Sequence, residues 1–360
     1  MKLRIMKKIF TSVFIFLFIS INAQQSGEII KKIIHSKLLE KTITKESPDR
    51  NVSIYLPPSY AHNKNKHYSV VYLFHGFAGT DDDWIRPRYK GKKFMTIKSV
   101  MDEGIANGKF GEMIVVMTNQ STNSLGGWYV NSKVTGNWKD FTTKELINYI
   151  DSNYRTIKKA QNRGIVGHSM GGYGAITLAM ENPDTYSVLY ALNPALIDFV
   201  GDLTSENKAF ERISTSRSLN ELIANQDVWS IGLISMGQAF SPNINNPPFY
   251  TNLPYHMENG KLIRNNSVYQ LWKKQSPSQL VKRYVNNASK LKGIKLDSGF
   301  YDEFKFIILN TRVFSKELTK NGINHIFEEY NGDHRNRLWG KQGRLYSDVF
   351  PYFWELLEHK

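Results

Sequence analysis

The stretch RGIVGHSMGGYGAITLAM, from Arg163 to Met180, decides the fold prediction because it passes from an apolar run through glycines into a helical pattern. It contains the pattern G-x-S-x-G with Ser169 at its centre. A tight strand-turn-helix with small residues two positions either side of a serine exposes that serine as a nucleophile. A structural or phosphate-binding glycine turn is the alternative, but the Gly-Lys-Ser/Thr ending of a phosphate loop is absent.

Strand and helix patterns alternate along the rest of the chain, which predicts an α/β fold with a mostly parallel central sheet flanked by helices. The predicted strands are Val52–Tyr60, Tyr68–Gly76, Glu112–Asn119, Arg163–Ser169, Tyr186–Pro194, Ile294–Gly299 and Asn324–Gly332. The predicted helices are Lys139–Tyr154, Met170–Pro183, Asn310–Gly322 and Leu345–Lys360, the last bent or interrupted at Pro351.

One long segment breaks this alternation. Between Asp198 and Gly293 the sequence has no clear strand pattern, and a structureless loop of that length is unusual in a compact domain. Residues of about 199–293 are therefore expected to form a mainly helical, cap-like insertion. Without a low-complexity linker, residues 24–360 are expected to form a single catalytic domain rather than two.

A serine nucleophile needs a base, and His334 has the position that fits. In hydrolases with this kind of turn the chain order is serine, acid, histidine, and the histidine follows the last strand. His334, in the loop YNGDHRNRLWG, comes just after the last predicted strand. His168 is adjacent to Ser169 and is expected to be structural. The other histidines are His35, His62, His67, His75, His256, His325 and His359.

The acid that orients the histidine is expected after the preceding strand, in IKLDSGFYDEF. Asp302 lies beyond the turn at Gly299, where its carboxylate can reach the histidine loop, so it is the predicted acid. Asp297 ends the strand itself and is the second candidate. Asp333, adjacent to His334, is the third candidate.

Two backbone N–H groups are expected to hold the oxyanion that forms during attack. The residue after the nucleophile supplies one such group in this fold, and a loop after an early strand supplies the other. The first is Met170. The second is Phe77, in the His-Gly turn of LFHGFAGTDDDW, where His75 and Gly76 are expected to shape the turn.

Several segments resemble the esterase D and feruloyl-esterase-like branch of the α/β-hydrolases, often called the "putative esterase" family. They are LFHGFAGTDDDW, Gly126–Thr156, GIVGHSMGGYGAITLAMENPDTY, LDSGFYDEF and GDHRNRLW, and together they span most of Tyr68–Trp339. The resemblance implies an α/β-hydrolase fold, the triad Ser169, Asp302 and His334, and the oxyanion donors Phe77 and Met170. Members of this branch include feruloyl and acetyl esterases, S-formylglutathione hydrolases, siderophore esterases and mycolyltransferases.

Aromatic residues occur in loops that should lie at the carboxyl ends of the strands, where open α/β sheets bind ligands. Trp84, Trp128 and Tyr129 are the predicted substrate-binding residues, since their rings can stack on a sugar or an aromatic acyl group. Trp138 lies in the same region. Each of these residues has an equally simple interpretation as a core or loop anchor.

The N-terminus has the layout of a secretory signal peptide in residues 1–23, with cleavage expected after Ala23. Four basic residues precede an apolar run from Ile9 to Ile21, and an uncleaved membrane anchor is the alternative. The chain has no cysteine, which excludes a cysteine nucleophile, a disulfide scaffold and thiolate metal ligands. Removing the four basic residues lowers the formal charge from +15 to +11. The remaining basic residues are scattered, and no nucleic-acid-binding module is recognisable, so nucleic acid is not an expected partner.

These patterns predict an exported serine carboxylesterase, secreted or periplasmic, that acts through an acyl-enzyme on acetyl or feruloyl groups of a polysaccharide. The alternatives are a siderophore esterase, an acyltransferase to sugar or lipid, and a non-catalytic glycan-binding protein. No metal-binding motif of the zinc or calcium type occurs, so neither a metal nor a cofactor is expected.

Overall fold

An eight-stranded sheet lies at the centre of the computed structural model, which describes residues 26–86 and 94–359. The strands are β1 (Glu28–His35), β2 (Asp49–Leu56), β3 (Val70–Phe74), β4 (Ile114–Thr118), β5 (Asn131–Ser132), β6 (Gly136–Asn137), β7 (Arg163–His168), β8 (Val188–Leu192), β9 (Tyr255–Glu258), β10 (Lys261–Arg264), β11 (Gly293–Gly299) and β12 (Ile326–Tyr330). The order in the large sheet is β1-β2-β4-β3-β7-β8-β11-β12. Strand β2 runs in the direction opposite to that of the seven other strands, which are parallel to one another. The predicted signal peptide lies outside the described residues.

The helices flank this sheet. They are α1 (Ile97–Ala106), α2 (Trp138–Asp140), α3 (Ile147–Asn153), α4 (Met170–Glu181), α5 (Ala209–Thr215), α6 (Leu219–Ala224), α7 (Val228–Phe240), α8 (Asn266–Lys273), α9 (Pro277–Ala288), α10 (Lys305–Lys320) and α11 (Phe350–Leu356). Two π-helical segments, Phe141–Leu146 and Leu345–Val349, lead into α3 and α11. Pro351, where a bend was expected, lies in the first turn of α11, directly after this change of helix type. None of the helices in the described ranges has the length and apolarity to cross a lipid bilayer.

The central strands are buried on both faces. Val70, Tyr72 and Phe74 of β3 contribute to one core cluster, whereas Val71 and Leu73 contribute to a second. The first cluster includes residues of α4, and the second includes residues of α1 and α11. This burial explains why these strands are continuous apolar runs in the sequence.

The segment between β8 and β11 contains the helices α5 to α9 and the hairpin β9–β10. Its last helix, α9, packs against α4 and α10 and so belongs to the layer that covers the sheet. Helix α7 is buried over most of its length and packs against α5, α6 and β5. At least α9 of the interval 199–293 is therefore part of the helical layer beside the sheet.

Several elements differ from the sequence-based expectation: α1, β5, β6 and the hairpin β9–β10 were not predicted, and neither were β1 and the true start of α10. Strand β1 was not predicted, because it lies at the sheet edge and most of its side chains are exposed or half-buried. Helix α10 begins at Lys305, five residues before the predicted start. The Asp202 carboxylate accepts hydrogen bonds from the backbone N–H groups of Lys305 and Phe306, at 3.0 Å each. A distant residue thus satisfies the first turn of α10, and local sequence patterns do not reveal such a contact.

Candidate active site

Ser169 forms a strained turn between β7 and α4. Its backbone has φ 59° and ψ −118°, in a region that residues other than glycine rarely adopt. A Cβ built on Gly167 would lie 2.1 Å from the carbonyl oxygen of Gly171, and one built on Gly171 would lie 2.5 Å from that of Phe74. The two glycines of G-x-S-x-G are therefore steric requirements of this turn.

Hydrogen bonds fix the backbone of this turn. The N–H of Ser169 donates to the carbonyl oxygen of Leu192 at the end of β8, at 2.9 Å. The Ser169 carbonyl oxygen accepts from the N–H groups of Ala195 and Tyr173 at 2.9 and 3.1 Å. Ser169 lines two cavities that His334 also lines. The position of the Ser169 backbone beside these cavities is thus set by contacts with β8 and α4.

Asp302 and His334 form a buried pair on the loops that follow β11 and β12. Asp302 Oδ2 lies 2.7 Å from His334 Nδ1, and both residues are buried. Because an ionised carboxylate can only accept a hydrogen bond, Nδ1 carries the proton and Nε2 keeps a free lone pair. The other carboxylate oxygen of Asp302 accepts from the N–H of Phe304 at 2.8 Å. This tautomer is the one that a general base needs.

The two other candidate acids lie elsewhere. The carboxylate of Asp297 is fully buried and forms an ion pair with Arg344, with 2.8 Å between Oδ2 and Nε. The carboxylate of Asp333 accepts hydrogen bonds from backbone N–H groups of its own loop. Among these three acids, Asp302 alone contacts the His334 ring, which places the predicted acid and base together.

Burial opposes charge on this pair. It raises the pKa of the Asp302 carboxyl to about 6 and lowers the pKa of the His334 imidazole below its ordinary value. At neutral pH the pair therefore consists of a carboxylate and an uncharged imidazole. An uncharged imidazole can accept a proton from a serine hydroxyl.

Two further side chains hold the backbone of the His334 loop. His168 Nε2 lies 2.7 Å and Asn193 Nδ2 lies 3.3 Å from the His334 carbonyl oxygen, and both donate because a carbonyl oxygen only accepts. Asn193 Oδ1 also accepts from the N–H of Gly299 at 2.7 Å, so it links this loop to the end of β11. His168 was expected to be structural, and the structure specifies what it braces. Asn193 was missed, since nothing in the sequence around it indicates a contact with a loop 141 residues away.

Replacing His168 by alanine is expected to lower kcat by about 10- to 100-fold, with a smaller effect on KM, because the base would lose a brace and shift its position. His168→Gln retains an N–H donor and should recover part of the loss. Burial lowers the pKa of His168 to about 3, so the loss should not vary between pH 7 and pH 9. Steady-state kinetics with 4-nitrophenyl acetate measure the loss of kcat. An undiminished kcat in H168A would contradict the proposal that His168 holds the His334 loop in place.

The predicted oxyanion donors lie beside Ser169. Phe77 and Met170 both line a cavity that contains Ser169, and a Cβ built on Gly76 would lie only 3.1 Å from the Ser169 Cβ. Neither backbone N–H forms a hydrogen bond with another residue in the described ranges. Free N–H groups next to a nucleophile can bind a developing negative charge.

Ser169 and His334 lie between two open cavities that differ in chemistry. The first, of about 570 Å³, has polar walls that include Asp83, His168 and Arg335. The second, of about 750 Å³, is mostly apolar. Its apolar walls include Trp128, Trp229, Met236, Phe304, Phe306 and Ile307. The second cavity is lined largely by α7 and by the start of α10, and the sequence did not indicate which residues these would be.

The three predicted substrate-binding residues lie in different surroundings. Trp84 lines the polar cavity, and Trp128 lines the apolar cavity, where its Nε1 donates to Ser235 Oγ at 3.0 Å. Tyr129 lines neither cavity. It is fully buried, and its hydroxyl donates to the carbonyl oxygen of His75 at 3.0 Å. The assignment of Tyr129 is therefore corrected to a core residue that supports the turn after β3.

Comparison with known proteins places this arrangement in a family. Residues 46–342 match the model of the family described as "Putative esterase". The chain belongs to this esterase family. The match includes β2 through β12, the turn at Ser169 and both loops that carry Asp302 and His334.

Curated relatives of this family member match over parts of their length. An esterase of Mycobacterium tuberculosis is 34% identical over 134 residues, which cover 36% of this chain and 26% of the relative. An endo-1,4-β-xylanase/feruloyl esterase of Xylanibacter ruminicola is 29% identical over 161 residues, which cover 43% of this chain and 21% of the relative. The chain thus matches about a quarter of the length of these relatives.

Solved structures match over nearly the whole chain. A ferulic acid esterase has a TM-score of 0.63 at 21% identity, covering 92% of this chain and 99% of that one. An S-formylglutathione hydrolase from Agrobacterium tumefaciens has a TM-score of 0.57 at 17% identity, and the match covers 93% of this chain and 97% of that one. At these identities the likeness concerns the fold, and it confirms the predicted α/β-hydrolase fold.

Proposed function

We propose that this chain is a serine esterase that hydrolyses carboxylic esters through an acyl-enzyme, with Ser169, Asp302 and His334 as its catalytic triad. The observation that carries the proposal is the buried Asp302 and His334 pair, at 2.7 Å, beside a cavity that also contains the strained Ser169. Membership in an esterase family supports the same class of reaction.

In the first half of the proposed reaction, the Ser169 oxygen attacks the ester carbonyl carbon while His334 Nε2 takes the hydroxyl proton. The N–H groups of Phe77 and Met170 bind the oxyanion, and the Asp302 carboxylate stabilises the imidazolium that forms. The bond between the carbonyl carbon and the alcohol oxygen then breaks, and the alcohol leaves with the proton from His334. Water repeats the sequence on the acyl-enzyme, releasing the acid and restoring the hydroxyl of Ser169.

The chemistry of the two cavities supports a substrate in which an ester bond joins an apolar acyl group to a polar alcohol. The polar cavity has the charged side chains of Asp83 and Arg335 in its wall together with Trp84, and Arg335 also lines the apolar cavity. The apolar cavity, with Trp128 in its wall, suits an acyl group. Together with the relative named xylanase/feruloyl esterase, this chemistry favours acyl groups, acetyl or feruloyl, on a polysaccharide.

A substrate panel tests this proposal. The panel contains methyl ferulate, acetylated xylan, 4-nitrophenyl acetate and a siderophore trilactone. Hydrolysis of the first three above the trilactone is expected, and a preference for the trilactone would contradict the polysaccharide assignment. Adding a competing alcohol distinguishes hydrolysis, which releases only free acid, from acyl transfer, which yields a new ester.

Export is part of the proposal. It rests on the cationic start and short apolar run of residues 1–23, because this layout is typical of a cleaved signal peptide. Mass spectrometry of the protein produced with its full N-terminus should find a mature chain that begins at Gln24. A chain retained in the membrane with Met1 intact would instead support the anchor alternative.

Esterase activity is expected to fall as the pH drops below about 6. The pKa of the Asp302 carboxyl is raised to about 6, so its carboxylate form is present above this pH and is lost below it. The pKa of His334 is lowered, so the base stays uncharged across this range. The value of kcat/KM should decline about tenfold per pH unit below 6 and be level from pH 7 to 8.5.

A pH profile with 4-nitrophenyl acetate measures this decline. Full recovery after return to pH 7 separates protonation from acid unfolding. A level profile down to pH 5 would contradict the role of Asp302 as the group that limits activity.

A further inference from the structure

Gly232 lies in the wall of the apolar cavity, with open space where a side chain would extend. A Cβ built on it meets no heavy atom within 4 Å outside its own helix backbone and chain neighbours, although Gly232 is buried in the middle of α7. We propose that Gly232 determines which acyl groups the enzyme accepts: the space at this position takes the distal end of an apolar acyl group larger than acetyl. This inference rests on the proposed esterase function.

Helix α7 presents one face to the apolar cavity. Val228, Gly232 and Met236 all line the cavity and are spaced four residues apart, so they follow one another along a single helical face. Gly232 is the middle position of the three. The gap is therefore flanked by the side chains of Val228 and Met236 and opens into the cavity.

A second glycine on the same helix has a different role. A Cβ built on Gly237 would lie 2.3 Å from Thr251 Oγ1, so this glycine permits close packing against the neighbouring loop. Gly232 has no such neighbour. Glycine is also less favourable than alanine inside a helix. Packing thus does not account for Gly232, whereas the volume of the cavity does.

The surroundings of Gly232 identify the ester part that binds there as the acyl group. Met170, whose N–H is a proposed oxyanion donor, lines this cavity alone, whereas Phe77, the other proposed donor, and Arg335 line both cavities. The other walls include Phe304, Phe306 and Ile307, which offer hydrocarbon to a ligand. An apolar acyl chain can bury its surface there, while the polar cavity is left for the alcohol.

Esters with one leaving group and different acids test this inference. The substrates are the 4-nitrophenyl esters of acetic, butyric and cinnamic acid, and the variants are G232A and G232L. In G232L the ratio of kcat/KM for the cinnamate to that for the acetate should fall by about 10- to 200-fold. The ratio for butyrate should fall less, and G232A should lower both ratios in the same order but to a smaller extent. Ala224→Leu, at an exposed position of α6, is the matched control and should leave the ratios unchanged.

Equal losses on all three esters in G232L, or unchanged ratios, would overturn the inference. If G232L does not fold, G232A is the decisive variant, because the alanine Cβ has room in the folded protein. In G232A the ratio of kcat/KM for the cinnamate to that for the acetate must fall, while the melting temperature equals or exceeds that of the wild type. An unchanged ratio in folded G232A would then overturn the inference. Wild-type protein that hydrolyses none of the esters would contradict the proposed function itself, so the two failures are distinguishable.

Discussion

Replacing Ser169 by alanine is expected to lower kcat on 4-nitrophenyl acetate by about 10⁴- to 10⁶-fold. The substitution removes the attacking oxygen and leaves the turn intact, since alanine meets the same steric limits as serine at φ 59°. The remaining rate would come from the oxyanion donors and from substrate binding. KM should change little, because the hydroxyl contributes to the transition state more than to the bound substrate.

Ser289→Ala is a matched control for this variant. Ser289 is exposed at the end of α9, and its hydroxyl bonds to its own helix, to the carbonyl oxygen of Asn286. S289A should therefore keep wild-type kcat. An S169A protein that retains more than about a hundredth of the wild-type kcat would contradict the proposed nucleophile.

Replacing Asp302 by asparagine is expected to lower kcat by about 10⁴-fold. An amide in this position donates a hydrogen bond as readily as it accepts one, so it can hold His334 in the tautomer with the proton on Nε2. That tautomer cannot take the proton of Ser169. The pH dependence below 6 should also disappear, because the titrating carboxyl is gone.

Asp333→Asn provides the comparison that distinguishes the role of Asp302 from that of Asp333. The Asp333 carboxylate bonds to backbone N–H groups of its own loop and not to the His334 ring. D333N should lower kcat by less than about tenfold, by loosening the loop alone. A greater loss in D333N than in D302N would transfer the role of the acid to Asp333.

The residues of the proposed triad could be located from the sequence because their positions depend on local sterics and on chain order. Gly167 and Gly171 are required by contacts within the turn itself, so the motif around Ser169 identifies the turn without knowledge of the fold. The order of serine, acid and histidine along this fold then selects His334 from nine histidines. Asp297 and Asp302 were harder to separate, since the buried ion pair of Asp297 with Arg344 is a tertiary contact.

The remaining features depend on contacts between distant segments. Asn193 reaches the His334 loop only after β8 and β11 have paired, and Asp202 satisfies the first turn of α10 from far along the chain. The walls of the apolar cavity come from α7 and α10, whose relative position no local pattern specifies. Tyr129, an aromatic residue in a loop near the strand ends, was expected to contact a ligand, but its side chain is fully buried.

A fluorophosphonate probe tests directly whether Ser169 is the nucleophile, because such a probe reacts with an activated serine and the residue that it modifies can be identified. Intact-mass analysis of the wild-type protein should show one adduct, and peptide mapping should place it on Ser169. The S169A variant should show no adduct. An unlabelled wild-type protein, or an adduct on another residue, would contradict the claim that Ser169 is the nucleophile.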